Sequence, residues 1–189
     1  MLSTVLSDDE LVNRTCKGDT MAFKELFNRY ENKVYNIIYY ITQNHETAKD
    51  LTQETFFKAF KNLNTLKKGQ LFASWLYRIS VNLTRDLFKK GKFIMESLEE
   101  NQEKTIQITD SATKEPQNIF FQKELQSVLL KALSKLSLEH LEVVTLHHIE
   151  NFSLQEIANI LSIPEGTIKS RLARARESLK KELSNYVLA

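Results

Sequence analysis

The segment at residues 153–176, SLQEIANILSIPEGTIKSRLARAR, restricts the possible fold of this chain more than any other. Ser153 and Glu156 have the S-x-x-E spacing of a capping box, which predicts the start of a helix. Ser162 and Glu165 repeat this spacing nine residues later and predict the start of a second helix. The segment therefore predicts two helices joined by a tight turn.

The second of these helices has an apolar side and a cationic side. Pro164 suits its first turn, where no backbone N–H is needed. Its apolar residues recur at helical spacing and predict one buried stripe, formed by Ile168, Leu172, Ala175 and Leu179. The stretch at residues 167–181 contains one anion, Glu177, and the cations Lys169, Arg171, Arg174, Arg176, Lys180 and Lys181. This pattern is typical of a helix-turn-helix, whose second helix enters the major groove of DNA. A structural hairpin with a solvated charged face is the alternative.

The composition favours an all-α protein. The 189 residues include only four glycines and two prolines, so long helices are expected. The sequence contains no apolar run long enough to span a bilayer, and its N-terminus lacks the pattern of a secretory signal. A single cysteine, Cys16, cannot form an internal disulfide. Together these features predict a cytoplasmic protein.

The chain lacks the residue patterns of an enzyme or a metal protein. It has no phosphate-binding loop and no recognisable nucleophile–base set. His147 and His148 are adjacent, whereas a helical metal site needs a spacing of four. We therefore expect no catalysis, no cofactor and no metal, and we interpret both histidines as surface or packing residues.

Helical periodicity divides the chain into two blocks. In the first block, residues 1–91, apolar residues keep a 3.6-residue period between Phe23 and Ile41, and further helices are predicted at about 46–60 and 71–90. Residues 92–118 are acidic and lack periodicity, which predicts a flexible linker. The second block, residues 119–189, ends in the helix-turn-helix. The fold prediction is two small helical domains on a flexible linker.

The helix predicted near residues 71–90 has two contrasting faces. One face is an apolar seam formed by Leu76, Ile79, Leu83 and Leu87. The opposite face is expected to be exposed, with Trp75 at its flank, and carries Arg78, Asn82, Arg85 and Lys89. Cations neutralise phosphates, an amide can pair with a base edge, and an aromatic ring can stack on an unpaired base. A solvated amphipathic helix with Trp75 in the core fits these residues equally well.

Three motifs in this order resemble the bacterial sigma-70 family, in particular its extracytoplasmic-function (ECF) group. DLTQETF at residues 50–56 is similar to region 2.2. FASWLYRI at residues 72–79, with Asn82, is similar to regions 2.3 and 2.4. IPEGTIKSRL at residues 163–172, with Ala175 and Arg176, is similar to region 4.2.

The resemblance implies a factor that binds core RNA polymerase and directs it to promoter DNA. It implies a region 2-like domain at residues 1–91, a linker at 92–118 and a region 4-like domain at 119–189. The implied polymerase contacts are the β′ clamp helices and the β flap. A further implied partner is an anti-sigma factor, often anchored in the membrane.

The resemblance also implies three sets of site residues. Those for core polymerase are Asp50, Gln53, Glu54 and Phe57. Those for the melted −10 element are Trp75, Arg78, Asn82, Arg85 and Lys89, preceded by a base-pocketing loop at residues 62–70. Those for the −35 duplex are Thr167, Lys169, Ser170, Arg171, Ala173, Arg174 and Arg176.

A stand-alone operator-binding regulator is the alternative function. It would share the C-terminal helix-turn-helix and bind palindromic duplex as a dimer. It would require neither the motif at residues 50–56 nor the helix with Trp75 and Asn82.

Overall fold

The computed structural model describes residues 6–66, 71–90 and 116–187, which form eight α-helices and no strand. The helices are α1 (Asp8–Cys16), α2 (Thr20–Thr42), α3 (His45–Asn62), α4 (Phe72–Lys89), α5 (Pro116–Ser134), α6 (Leu138–Val144), α7 (Leu154–Leu161) and α8 (Glu165–Val187). A short 3-10 turn, Leu63–Thr65, follows α3, and a π-helical turn, Thr145–Ile149, continues α6. The all-α prediction is confirmed.

Helices α1 to α4 form an N-terminal unit around α2. The long α2 packs against α1, α3 and α4. Its period of apolar residues places Leu26, Ile37 and Ile38 fully inside, against Leu76 of α4. Asp19 caps α2 by accepting hydrogen bonds from the N–H groups of two residues in its first turn. Burial of this stripe and the side-chain cap therefore both stabilise α2.

Helices α5 to α8 form a C-terminal unit around α8. Helices α5, α6 and α7 all contact α8. The predicted stripe is inside, with Ile168, Leu172 and Ala175 buried and Leu179 partly buried. The prediction that α8 has one apolar and one cationic side is therefore confirmed.

The turn between α7 and α8 differs from the sequence prediction. Ser162 does not cap the second helix, because it ends α7 in a left-handed conformation with φ of 56°. Helix α8 begins at Glu165. The carbonyl of Pro164 accepts the N–H groups of Thr167 and Ile168 at 3.0 and 3.2 Å. The prediction of a cap from the S-x-x-E spacing was wrong here, because the serine reverses the chain between the two helices.

The two units pack against each other. Helix α4 contacts α7, and α2 contacts α6 and the π-helical turn. Residues 92–115 of the segment interpreted as a linker lie outside the described residues, and its last three residues already belong to α5. The prediction of a fully exposed polar face on α4 was wrong, because the C-terminal unit covers part of it.

Removal of the capping box at the start of α7 should destabilise the C-terminal unit. The Ser153 N–H donates to Glu156 Oε2 at 2.8 Å, and the Glu156 N–H donates to Ser153 Oγ at 3.3 Å. We expect Ser153→Ala to lower the free energy of unfolding by about 1 kcal/mol in urea titrations. Ser178→Ala, in the exposed middle of α8, is the control, and an equal loss there would contradict the assignment.

The capping contribution should also depend on pH. Hydrogen bonds from Ser153 hold the pKa of Glu156 below its ordinary value of 4.5. A carboxylate with a lowered pKa stabilises the fold fully above its unfolded pKa, and the contribution is lost as the pH falls through the folded pKa. The difference between Ser153→Ala and the parent chain should therefore shrink below about pH 4.5.

Candidate nucleic-acid interface

The cationic side of α8 faces solvent. Lys169, Ser170, Ala173 and Arg174 are exposed, and Thr167 is half-buried at the edge of this face. The Ser170 hydroxyl donates to the Thr167 carbonyl at 2.8 Å, so it is already engaged within the helix. The exposed set therefore offers two cations flanked by small side chains, which suits close approach to a duplex.

Arg171 lies apart from this exposed set. Its side chain is only 19% exposed, and its guanidinium forms an ion pair with Glu139 of α6, with Nη2 2.8 Å from Oε2. This contact fixes α6 against α8. In this conformation Arg171 supports the orientation of α8 instead of projecting from it.

Arg176 is exposed but oriented by a neighbour. Its Nε donates to Nε2 of His148, in the π-helical turn, at 3.3 Å. Burial, together with the nearby charges of His147 and Arg176, lowers the pKa of His148 below its ordinary value. The imidazole therefore stays neutral at pH 7 and can accept this hydrogen bond.

The polar row on α4 divides into free and engaged residues. Asn82 and Lys89 are exposed. Trp75 is half-buried and packs at the edge of the core, with its ring centroid 6.1 Å from that of Phe72. Arg78 and Arg85 are partly covered by the C-terminal unit, so the expected row of exposed cations was wrong for these two residues.

Arg85 forms a two-pronged ion pair with Glu142 of α6. Its Nε and Nη2 donate to the two carboxylate oxygens at 2.6 Å each. The Glu142 side chain is only 2% exposed. Arg78 donates from Nη2 to the backbone carbonyl of Asn159 in α7. Both arginines of α4 are thus held by the other unit, whereas Lys89 is exposed.

A second group of contacts joins α2 and α4 to the loop before α7. Lys33 Nζ lies 4.5 Å from the ring centroid of Phe152, and the Tyr77 ring meets Phe152 edge-on at 5.0 Å. Glu150 accepts a hydrogen bond from the Asn36 side chain; burial raises the pKa of Glu150, while Lys33 and Asn36 oppose the rise. These contacts bury aromatic and charged groups at the same boundary.

The residues predicted to bind polymerase form one exposed face of α3. Asp50, Gln53, Glu54 and Phe57 follow helical spacing, and all are exposed. Glu54 forms an ion pair with Lys58 at 2.9 Å on this surface. The Phe57 ring is 58% exposed, an unusual position for an aromatic side chain. The face therefore combines carboxylates with an apolar centre.

Phe60 extends this face and was missed by the sequence prediction. It is 46% exposed and lies 4.9 Å, between ring centroids, from Phe23 of α2. Its spacing of three from Phe57 was the available signal. In the loop expected to pocket a base, residues 67–70 lie outside the described residues.

The described ranges 6–66, 71–90 and 116–187 show neither a metal site nor a membrane span. In them no group of three or more metal-ligating side chains comes together. No helix in these ranges has both the length and the apolar character needed to cross a bilayer. His147 contacts the Phe152 carbonyl at 2.9 Å, in agreement with its interpretation as a packing residue.

A capped helix, a tight turn and an exposed cationic helix on an all-α scaffold define a helix-turn-helix DNA-binding protein. Two family profiles match, described as Sigma-70 region 2 over residues 26–93 and Sigma-70, region 4 over residues 126–179. The ECF RNA polymerase sigma factor SigW of Bacillus subtilis is 32% identical over 91% of this chain and 94% of its own length. The ECF RNA polymerase sigma-E factor of Escherichia coli is 32% identical over 98% and 99%. The chain belongs to the ECF RNA polymerase sigma factors.

Solved structures agree with the fold. The structure of CnrH in complex with the cytosolic domain of CnrY has a TM-score of 0.71 at 23% identity, covering 94% of this chain and 97% of that one. The sigma factor RpoE of Bartonella quintana, solved with the anti-sigma factor NepR, has a TM-score of 0.63 at 26% identity, with coverage of 86% and 96%. The predicted family is confirmed by the two profile matches and the curated relatives, and the solved structures confirm the fold.

Proposed function

We propose that this sigma factor directs transcription initiation through three separate surfaces. The exposed face of α3 binds core polymerase, the polar row of α4 holds the melted −10 strand, and α8 reads the −35 duplex. The observation that carries the proposal is the exposed cationic face of α8, which lies opposite the buried apolar stripe of the same helix. The other two surfaces rest on their motifs and on the exposure of their residues.

The α8 surface suits the major groove. A helix fits this groove, and cations there meet guanine edges or flanking phosphates. Lys169 and Arg174 are the proposed readers, with Thr167, Ser170 and Ala173 close to the bases. Arg171 and Arg176 act in support, held by Glu139 and His148. If about four phosphates are neutralised, the logarithmic salt slope of binding is roughly −3.6.

The α4 surface suits single-stranded DNA. Asn82 can hydrogen-bond a base edge, Trp75 can stack, and Arg78, Arg85 and Lys89 can neutralise phosphates. Unstacking a base costs a few kcal/mol, which stacking and hydrogen bonding offset. This work is binding alone and requires no catalytic residue, so we propose that the chain is not an enzyme.

The α3 surface suits a cationic protein partner. Carboxylates form strong, directional hydrogen bonds with arginine, and an exposed ring provides an anchor. Asp50, Gln53, Glu54 and Phe57 are proposed to meet the β′ clamp helices, and the C-terminal unit to meet the β flap. Because core polymerase and promoter DNA are its proposed partners, the proposed location of the chain is the cytoplasm.

An anti-sigma factor is the proposed regulator. CnrH and RpoE were both solved as complexes, CnrH with the cytosolic domain of CnrY and RpoE with the anti-sigma factor NepR. By analogy, we propose that such a factor restrains this chain by covering the surfaces that otherwise meet polymerase. Co-purification of bound proteins with the full chain from its own cells would identify this factor.

Run-off transcription on a promoter library tests the function. We expect core polymerase to produce discrete transcripts only with this protein, because promoter recognition resides in the sigma factor. Sequencing the transcribed templates gives both promoter elements. Tight dimeric binding to a palindromic duplex without polymerase, and no new transcripts, would favour the stand-alone regulator instead.

A further inference from the structure

The contact between the two units engages the same cations that the −10 strand needs. Arg85 and Arg78, on α4, both donate to the C-terminal unit. Asn82 and Lys89, on the same helix, remain exposed. Part of the proposed single-strand surface is therefore already occupied within the chain.

The Glu142 carboxylate occupies a guanidinium that a phosphate could otherwise bind. Arginine offers a planar fork that fits carboxylate and phosphate oxygens in the same two-pronged geometry. The two carboxylate oxygens of Glu142 accept both hydrogen bonds of the Arg85 guanidinium at 2.6 Å, although the two residues are 57 positions apart in the sequence. A strand that needs Arg85 must displace this carboxylate.

Arg78 is less well satisfied in the closed arrangement. One of its Nη atoms donates to the Asn159 carbonyl, but its buried Nε finds no acceptor among the described residues. A buried donor without a partner costs free energy. Release of Arg78 to a phosphate would remove this cost. The contact between Arg78 and Asn159 therefore favours replacement of the carbonyl by a phosphate.

The Phe152 ring makes the kinds of contact that an unpaired base could make. It is almost buried, with Lys33 over its face and the Tyr77 ring at its edge. Cations and aromatic rings are also what single-strand binding surfaces use to hold bases. Glu150 adds a second carboxylate near Lys33 and Asn36.

We propose that the surface of the C-terminal unit formed by Glu142, Glu150 and Phe152 imitates single-stranded DNA and, by packing on α4 and the adjoining part of α2, competes with the strand for Arg78 and Arg85 within the free chain. The competition is selective, because the cationic face of α8 stays exposed in the same conformation. In the free chain the α4 surface for the −10 strand is therefore blocked, whereas the α8 surface for duplex DNA remains accessible. The proposal rests on the proposed role of Arg78 and Arg85 in −10 binding.

Glu142→Gln in the full chain tests the competition. The probe is a fluorescein-labelled, random-sequence single strand of about 15 nucleotides, within the site size of such surfaces. We expect about tenfold tighter binding by anisotropy, because a neutral amide holds Arg85 weakly, a difference of about 1.4 kcal/mol. Random-sequence duplex should bind the variant and the parent equally, since α8 is unchanged.

Glu124→Gln is the matched control. Glu124 is exposed on α5, and the substitution removes the same charge away from α4. It should leave single-strand binding within about twofold of the parent chain, because an exposed charge contributes little. Equal gains from both variants would overturn the competition and leave only a change of net charge.

A distance measurement reports opening directly. Labels on Cys16, exposed on α1, and on an introduced Gln155→Cys, exposed on α7, span the two units. Glu142→Arg should lengthen the distance by repelling Arg85. Adding Arg85→Glu should restore the short distance, which an unfolded variant would not do. An unchanged distance in Glu142→Arg would overturn the proposal.

The two readouts separate this proposal from the proposed function. If run-off transcription succeeds but Glu142→Gln binds single strands no better and Glu142→Arg leaves the distance unchanged, the competition is wrong and the function stands. If Glu142→Arg lengthens the distance but Glu142→Gln brings no gain in single-strand affinity, the competition fails because Arg78 and Arg85 do not bind the −10 strand.

Discussion

Replacing Phe57 by alanine should lower the affinity for core polymerase about thirtyfold, because a central aromatic anchor contributes about 2 kcal/mol. The ring is 58% exposed, and its contact with Lys61 Nζ, 4.4 Å from the ring centroid, lies on the surface. The fold should therefore be unaffected, and the loss should appear only in polymerase binding and in run-off transcription.

Met21→Ala provides the control for this prediction. Met21 is also large, apolar and exposed, at 66%, but it lies on α2 outside the proposed polymerase face. It should retain full affinity in the same titration with labelled protein. Comparable losses in both variants would mean that polymerase recognises exposed apolar area in general, and the α3 assignment would fail.

Replacing Arg174 or Lys169 by alanine should reduce transcription from promoters that depend on the −35 element. A residue that reads a base should cost about 1–3 kcal/mol and relax specificity at one position, whereas a phosphate contact should reduce the salt slope by about one. Comparing the selected promoters of each variant separates the two roles. Neither residue forms an ion pair among those found in the described ranges, so no structural loss is expected.

Lys180→Ala is the matched control for these substitutions. Lys180 lies exposed on the same helix, beyond the proposed reading face. Its loss removes one positive charge and should leave the selected −35 sequence unchanged. If all three variants lose activity equally and without a change in sequence preference, α8 would act only as a basic patch, and the assignment of readers would be withdrawn.

The capped helix and the buried stripe of α8 were predictable because each depends only on residues that are close together in the sequence. The stripe of Ile168, Leu172 and Ala175 was correct because helical spacing alone places these residues together. The capping box at Ser153 was correct for the same reason. The capping prediction for Ser162 was wrong because the same residue reverses the chain in a left-handed conformation.

The sequence by itself determined most of the helices after α1, their apolar faces, the helix-turn-helix and the family. Only the tertiary structure decided which cations are free. Arg85 meets Glu142 and Arg171 meets Glu139 through packing between helices far apart in the chain. Periodicity identifies the polar face of a helix, but what covers that face depends on the packing of distant segments, which no local pattern records.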